Sequence, residues 1–533
     1  MPPGLSGRSD VVRIGLPLLR EEADACAGGR ALRARPLLRQ TPERCRRRPV
    51  QDFFFAPVES MLDAIEHHGS SVQDALTDAR HTRDCHPVHR AWARDAVQAY
   101  LAARARHEAG GYPATRPVRA EWVGLDRLRK PDARGIVQYE RTAWGRRYAT
   151  EDGMVREIWI PSIGTAKEDR SEAEIAAAAA VAATGVPARA GFGEPYRKIE
   201  TGVLTPQRVR VVGVGLGDGE PRVLADWDVD EAAREFDEHA KARYASVLDG
   251  GELRPGSDCT TCEGLLGCTA LPVLPGLLGV PASRRPRKRR SVSISDLRIY
   301  KACPARFHAT RTLYIKDGRA ENEAIRRGRA VDAWLTDRHR QRPRVPCRNV
   351  PLPTELPGLA EDEMETAVRM IREHHAFCPL DGLTDGDDIR PQWRVAAYDP
   401  AADTVIIADP DLLYTESGGW VWRETKTASR RTWEGRSLLH TYPQLALAVL
   451  LMASGVPGGD PRRARIELEI LREDGSVCEE FDPLDPATRD EASDIVARLA
   501  AGWADDETYL PHPGDHCSDC EVRRWCSASG GPR

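Results

Sequence analysis

The chain has 533 residues, 41% hydrophobic and 30% charged, with a net charge of −4 and a mean hydropathy of −0.49. Such a length implies roughly two to four domains, and no apolar run approaches the roughly 20 residues of a membrane span. A weakly acidic total means that a nucleic-acid partner would have to be held by local basic patches. The N-terminus, MPPGLSGRSDVVRIGLPLL, lacks the apolar region and cleavage site of an export signal, so a cytoplasmic location is expected. In a reducing cytosol the 13 cysteines divide into clustered ones, read as metal ligands, and scattered ones (Cys26, Cys85, Cys347, Cys378, Cys478), read as small core residues.

Residues 1–50 are rich in arginine and poor in pattern, with Cys45 standing out in TPERCRRRP. Residues 52–110 read as helices, 134–162 as strands, and Glu172–Thr184 as an alanine-dominated helix stopped by Gly185 and Pro187. Two strands are expected in 208–229, then a helix over 230–248, then Cys259, Cys262 and Cys268 in a CxxC-x5-C array. The second half repeats this order. Helices are expected at 321–340 and 361–377, strands at 390–399, 404–413 and 419–427, and a helix at 444–457. Two more strands and a helix over 489–503 precede Cys517, Cys520 and Cys526, at the same spacing. The shared spacing and element order imply an internal duplication. Between the halves, SRRPRKRRS (283–291) carries six positive charges and reads either as a solvated linker or as a strap on backbone phosphates.

The chemistry concentrates in Val405–Lys426 (VIIADPDLLYTESGGWVWRETK). Residues two apart on a strand share a face. Glu424 and Lys426 therefore project together, with Asp411 facing them from a neighbouring strand across the Gly418–Gly419 turn. Two carboxylates and an amine converging on a sheet suit a metal-dependent phosphodiesterase, although charges at this spacing are also common on solvated hairpins.

Each cysteine array lacks a fourth thiolate. In the second half the candidate is Cys303, which would clamp the first helix to the end of the domain. Four thiolates suit zinc or an iron–sulfur cluster, and one knuckle plus two isolated cysteines fits a zinc ribbon poorly. In the first half the repeat position points to Cys45 as the partner of Cys259, Cys262 and Cys268, with Cys85 as competitor. The metal there is left open between iron–sulfur and zinc.

Taken together, residues 291–526 resemble the RecB-like PD-(D/E)xK nucleases. The likeness is greatest to the iron–sulfur subgroup of bacterial recombination nucleases and CRISPR-adaptation exonucleases. SISDLRIYKACPARF is similar to that group's opening signature, GRAVDAWL (328–335) to its G-x-x-x-H-x-x-L motif, ADPDLLY to the aspartate strand and ETK to E-x-K. The resemblance implies an α/β fold with a restriction-endonuclease-like core, a mixed central sheet flanked by helices. With the repeat, that core is expected twice in tandem, each half closed by a C-terminal cysteine cluster. Residues 1–283 form a degenerate copy, 284–290 a basic linker and 291–533 the active nuclease. The resemblance further implies Asp411 and Glu424 as ligands of Mg²⁺ or Mn²⁺, Lys426 and Gln444 as catalytic partners, and a four-iron four-sulfur centre on Cys303, Cys517, Cys520 and Cys526. Asp332 stands where the family has a metal-binding histidine, and a carboxylate remains a good ligand for either cation. Ala408 replaces a glycine and Ala448 a tyrosine. In the first half the counterpart of ETK falls near Ile158-Trp159-Ile160, which cannot hold a cation.

The expected function is metal-dependent DNA cleavage, at single strands or ends, in repair or antiphage defence. No G-x-x-x-x-G-K-[ST] motif is present, so a separate helicase or ATPase partner is expected. Arg306, Arg326, Arg327 and Arg329 are either phosphate contacts or surface charges, and Trp334, Trp420 and Trp422 are either stacking platforms or core. Two other classes remain open: a silent DNA-binding scaffold, and a zinc-stabilised protein-interaction subunit.

Overall fold

The computed structural model describes residues 4–20, 25–129, 135–191, 193–199, 204–282, 285–317, 322–384, 386–428 and 437–529. Residues 283–284 of the basic run, and the first residues of the segments expected at 134–162 and 321–340, lie outside these. Among the described residues no helix is long and apolar enough to cross a membrane.

In the first half, helix α1 (Pro87–Ala109) precedes strands β1 (Arg116–Pro117), β2 (Arg146–Ala149) and β3 (Val155–Ser162). Helix α2 (Glu172–Thr184) and strands β4 (Arg208–Gly215) and β5 (Pro221–Asp228) follow. The five strands form one sheet in the order β5-β4-β3-β2-β1. Only the β3–β4 pair is parallel. A parallel pair needs a crossover, and α2 supplies it. Ser171 caps α2 by accepting from Glu174 N–H at 3.3 Å. At its other end a Cβ on Gly185 would lie 2.3 Å from the Val181 carbonyl oxygen, so the tight exit requires glycine.

The second half opens with helices α3 (Ile294–Ala302), α4 (Glu323–Arg340) and α5 (Glu361–His374). Strands β6 (Ile389–Pro391), β7 (Leu412–Glu416) and β8 (Gly419–Thr427) lead into helix α6 (Pro443–Ala453). Strands β9 (Arg465–Leu471) and β10 (Val477–Phe481) and helix α7 (Pro486–Asp505) complete it. The sheet order is β6-β7-β8-β9-β10, again with a single parallel pair, β8–β9. Helix α6 is the crossover. It is apolar all round and accordingly buried all round, with Leu445, Ala446, Leu447, Ala448 and Val449 at most 2% exposed. The two sheets thus share strand order, pairing sense and crossover position.

Two expected strands are broken in ways that build the site. The segment expected at 390–399 splits into β6 and Val395–Asp399, with Gln392 at φ 51° between them. The segment expected at 404–413 splits at Asp409–Pro410, because proline has no N–H to continue a ladder. Thr404–Ala408 joins Val395–Asp399 and Arg290–Val292 in a separate three-stranded sheet. Gln392 and Asp411 therefore both sit at strand ends, where Gln392 N–H donates to the Asp411 carbonyl at 3.2 Å.

The basic run is not a solvated linker. Arg290 lies over the Trp503 ring at 3.7 Å and donates to the Ala504 carbonyl at 2.9 Å. Arg287 donates to the Asp506 carbonyl at 2.8 Å. Arg289 reaches Asp403 at 2.9 Å and the first-half Gln40 at 3.2 Å, and Lys288 reaches the first-half Asp52 at 2.8 Å. Arg287 and Arg290 are thus consumed within the second half, and Lys288 and Arg289 tie the two halves together, since a buried guanidinium must find partners. The cysteine loops do the same job reciprocally. Cys259 and Leu265 pack on Tyr398 and Val405 of the second half. Cys520, Val522 and Trp525 pack into the first-half core around Trp92 and Tyr100, and Trp525 Nε1 donates to Asp95 at 3.0 Å.

Candidate active site

Strand alternation sets the site. Trp422, Glu424 and Lys426 share one face of β8, and Arg423 and Thr425 the other. Trp422 Nε1 donates to Glu424 Oε1 at 3.1 Å, and the ring itself is 1% exposed. Asp411, one residue before β7, swings across the hairpin. Its Oδ2 accepts from Thr425 N–H at 2.7 Å and from Lys426 Nζ at 3.1 Å. Lys426 Nζ also donates to Glu424 Oε2 at 3.0 Å. The hairpin turn that aligns these residues needs positive φ at Ser417 (52°) and Gly418 (78°).

Helix α4 brings Asp332 to the same place. It can lie close on β8 because Gly328 has no side chain; a Cβ there would sit 2.9 Å from Thr427 Oγ1. Gln392, absent from the residues picked out by motif, links the two acids. Its Nε2 donates to Asp332 at 3.2 Å and faces Asp411 Oδ1 at 3.5 Å. No spacing rule singles it out; its positive φ, uncommon for a residue with a side chain, is visible only in the fold.

The electrostatics are those of a site crowded with negative charge. Burial, and then the Asp411 charge, push Glu424 up to about 7 and Asp332 up to about 6. Burial works against the Lys426 ammonium, but Glu424 and Asp411 outweigh it and raise its pKa, so it stays charged. Asp411 and Glu424 are joined through Lys426, and Asp332 to Asp411 through Gln392, so the site gathers carboxylate oxygens, the donor type a hard divalent cation prefers.

Gln444 opens α6, half-buried, and no hydrogen bond joins it to these carboxylates among the described residues. Arg306 is paired bidentately with Glu521 at 2.7 and 2.8 Å, Arg326 with Glu363, and Arg327 with Glu323 at 2.7 Å. Trp420 and Trp422 are core, and Trp334 is half-buried against two apolar clusters.

In the first half, Tyr148 pairs with Glu157 as Tyr414 pairs with Val421. Counting from these tyrosines, the positions of Asp411, Glu424 and Lys426 are held by Gly145, Ile160 and Ser162. Gly145 has φ 150°, and a Cβ there would lie 2.5 Å from the Trp159 carbonyl oxygen. No acid fits where Asp411 would stand.

Cys303, Cys517, Cys520 and Cys526 line one small pocket at the end of the second half. Backbone N–H groups point at the sulfurs: Gly514 at Cys517 (3.4 Å) and His512 at Cys303 (3.5 Å), with further bonds from Val522 to Cys520 and from Ala528 to Cys526. In the first half Cys259 takes Gly256 N–H at 3.4 Å, and Cys262 takes Gly264 N–H. The thiol close enough to bear on both Cys259 and Cys262 is Cys26, together with Cys268. The expected partner of the array, Cys45, is not the thiol beside it. Cys45 is exposed and bonded to the Pro286 carbonyl at 3.1 Å. Cys85 is buried, with Asp84 and Arg90 as its charged neighbours. Cys26 starts a short helix, accepting Gly29 N–H at 3.2 Å, and that position was not legible from spacing.

The family model described as the PD-(D/E)XK nuclease superfamily matches residues 291–527. Among solved structures, the crystal structure of SSO0001 is similar at 15% identity and a TM-score of 0.22, over 45% of this chain and 87% of that one. No curated protein matches the chain.

Proposed function

Residues 291–527 belong to the PD-(D/E)XK nuclease superfamily, and from that premise we propose that the protein is a divalent-metal-dependent DNA nuclease with a single active site, in its second half. The observation that carries this reading is the convergence of Asp332, Asp411 and Glu424 with Lys426 at 3.0–3.1 Å from two of them. The three carboxylates would hold Mg²⁺ or Mn²⁺, which supplies Lewis acidity to the scissile phosphate and lowers the pKa of a water in its shell. Lys426 gives up one carboxylate contact to donate to the attacking water and to the phosphoryl oxygens as charge builds on them. Gln392 keeps Asp332 and Asp411 aligned through its amide. The water gives a proton to solvent as its oxygen adds to phosphorus, the bond to the leaving sugar oxygen breaks, and that oxygen takes a proton from solvent. The first half is a duplicated copy whose site has lost its chemistry.

The substrate reading rests on Trp393. This residue follows Gln392, is 36% exposed, and is flanked by the guanidinium groups of Arg390 at 5.0 Å and Arg254 at 5.8 Å. An exposed indole with two guanidinium groups near its ring, next in sequence to Gln392, suits stacking of an unpaired base, worth ~1–3 kcal/mol per base. Trp393→Ala is expected to weaken single-strand binding about tenfold or more, measured by fluorescence anisotropy, while the fold is unchanged. Equal affinity would remove single strands as the preferred substrate.

Metal binding carries a pH signature. Glu424 and Asp332 have raised pKa values, so the folded apo protein holds protons that the unfolded chain releases. Stability from this source is present below the ordinary carboxylate range and is lost as pH rises through about 6 to 7. A divalent cation replaces those protons. Mg²⁺ or Mn²⁺ is therefore expected to raise the melting temperature at pH 8 and to do little at pH 5. A metal-induced change of equal size at both values contradicts this assignment of ligands.

Both cysteine sets are assigned to four-iron four-sulfur clusters, Cys303, Cys517, Cys520 and Cys526 in one and Cys26, Cys259, Cys262 and Cys268 in the other. The support is the matching pattern of N–H groups aimed at sulfur in the two halves, which stabilises cluster thiolates. Anaerobically purified protein is expected to be brown, with about eight irons per chain. Cys26→Ala should remove half of that iron and Cys45→Ala none. The reverse would restore Cys45 as ligand. With no nucleotide-binding motif of its own, the chain is assigned to a repair or defence assembly in which a separate helicase or ATPase opens the DNA.

A further inference from the structure

Behind the nuclease site, a second set of metal-ligating side chains is sealed in the core. His339 ends α4, His374 ends α5, Cys378 lies one turn beyond His374, and Cys347 starts the short turn Cys347–Asn349. All four are buried, and one ligand atom from each lies within 4.8 Å of the other three. We propose that His339, Cys347, His374 and Cys378 form a structural zinc site of two imidazoles and two thiolates.

The donor set favours this metal. Two sulfurs and two nitrogens in a closed group match a tetrahedral zinc ion, whose bonds are ~2.3 Å to sulfur and ~2.0–2.1 Å to nitrogen. A hard cation such as Mg²⁺ would want oxygen and find none. The orientation of His374 points the same way. Its Nδ1 is bonded to Glu469 Oε1 at 2.7 Å, which fixes the ring and turns Nε2 inward. That Nε2 is fully enclosed and makes no well-formed hydrogen bond. A carboxylate–histidine pair presenting a bare nitrogen is the arrangement that supports a metal-bound imidazole. Around it His339 Nε2 is 3.6 Å from Cys347 Sγ and Cys347 N–H is 3.5 Å from Cys378 Sγ, and the Cys378 sulfur is met by both rings and by Cys347, so it is the centre of the group. A disulfide between the two cysteines would leave His374 Nε2 facing the cluster without a partner, its ring held through Nδ1 alone by Glu469.

The location gives the ion a task. His339 stands two helical turns beyond Asp332 on α4, so the centre pins the helix that carries that carboxylate. Glu469 on β9 bonds His374 through one oxygen and accepts from Thr425 Oγ1 at 3.2 Å through the other. Thr425 lies between Glu424 and Lys426. The zinc site thus fastens α4 and α5 to the strands that hold the nuclease residues, across a connection of little regular structure between residues 341 and 360. The assignment does not depend on the nuclease reading.

The test is metal analysis of the full-length protein purified anaerobically, so that the cysteine loops keep their iron. Wild type is expected to carry about one zinc per chain, and Cys347→Ser with Cys378→Ser to lose it while iron is unchanged. Should that double variant not fold, X-ray absorption at the zinc edge of the wild type decides, with two sulfur and two nitrogen neighbours expected. Wild type without zinc, zinc with four sulfur neighbours, or a folded double variant with undiminished zinc would overturn the proposal.

Discussion

Glu424→Gln is expected to abolish metal-dependent cleavage, by at least a thousandfold, while making the metal-free protein more stable. Glutamine copies the shape of the protonated acid, which is the form the metal-free fold prefers, because Glu424 is buried beside Asp411 and raised to about 7. At pH 8 the wild type must ionise it, at a cost of about 1.4 kcal/mol for each tenfold loss of acidity. The variant escapes that cost but loses one of three oxygen ligands and its negative charge. Its advantage should vanish as pH falls below the ordinary carboxylate range, where both proteins are neutral at this position. Rate measurements in Mg²⁺ and Mn²⁺, paired with denaturation at pH 5 and pH 8, check both halves of the expectation. A variant that is both inactive and less stable at pH 8 would show that Glu424 is a structural acid rather than a ligand held at a cost.

Arg289→Ala is expected to destabilise the chain by about 1–3 kcal/mol, the scale of buried acceptors left without their donor. Its guanidinium, 2% exposed as a residue, bonds Asp403 at 2.9 Å, Gln40 at 3.2 Å and the Cys259 carbonyl at 3.3 Å, and lies 5.2 Å from the Tyr398 ring centre. Removing it takes the donor from Gln40 and from the Cys259 carbonyl, leaves Asp403 with Arg44 and Tyr398, and opens a void beneath Tyr398. Arg289→Lys keeps the charge but not the fork, so it should lose less. Urea unfolding of the three proteins tests this. If alanine costs under about 1 kcal/mol, the basic run is a linker after all and the two halves are held by other contacts.

Sequence pattern carried the sheet and its chemistry because the physics there is local. Period-two alternation placed Glu424 beside Lys426, and the glycine turn placed Asp411 opposite. The apolar run around Leu447 could only be a buried helix. The first-half counterpart of ETK lies two residues beyond the expected Ile158-Trp159-Ile160; counted from the paired tyrosines, Ile160 stands at the Glu424 position and Ser162 at that of Lys426. What escaped was long-range. Gln392 acquires its role from a backbone turn next to a strand break. Cys26 reaches the first-half array from more than two hundred residues away, by packing that no spacing encodes. His339, Cys347, His374 and Cys378 fall within forty residues, but without a CxxC knuckle, so the two cysteines looked like ordinary core. The arginines of 285–290 were ambiguous for a different reason. Charge alone does not say whether a guanidinium meets a phosphate or a carbonyl, and here the carbonyls of 503–506 decide.

A single active site in the second half, working through Asp411, Glu424 and Lys426, is tested most directly by cleavage of end-labelled DNA. Full-length protein is given single-stranded and duplex substrates in Mg²⁺ or Mn²⁺, with Lys426→Ala alongside. Wild type is predicted to degrade the DNA only when the cation is present, and Lys426→Ala to leave it intact at matched fold and metal content. Equal cleavage by the two proteins would contradict a nuclease built on these three residues.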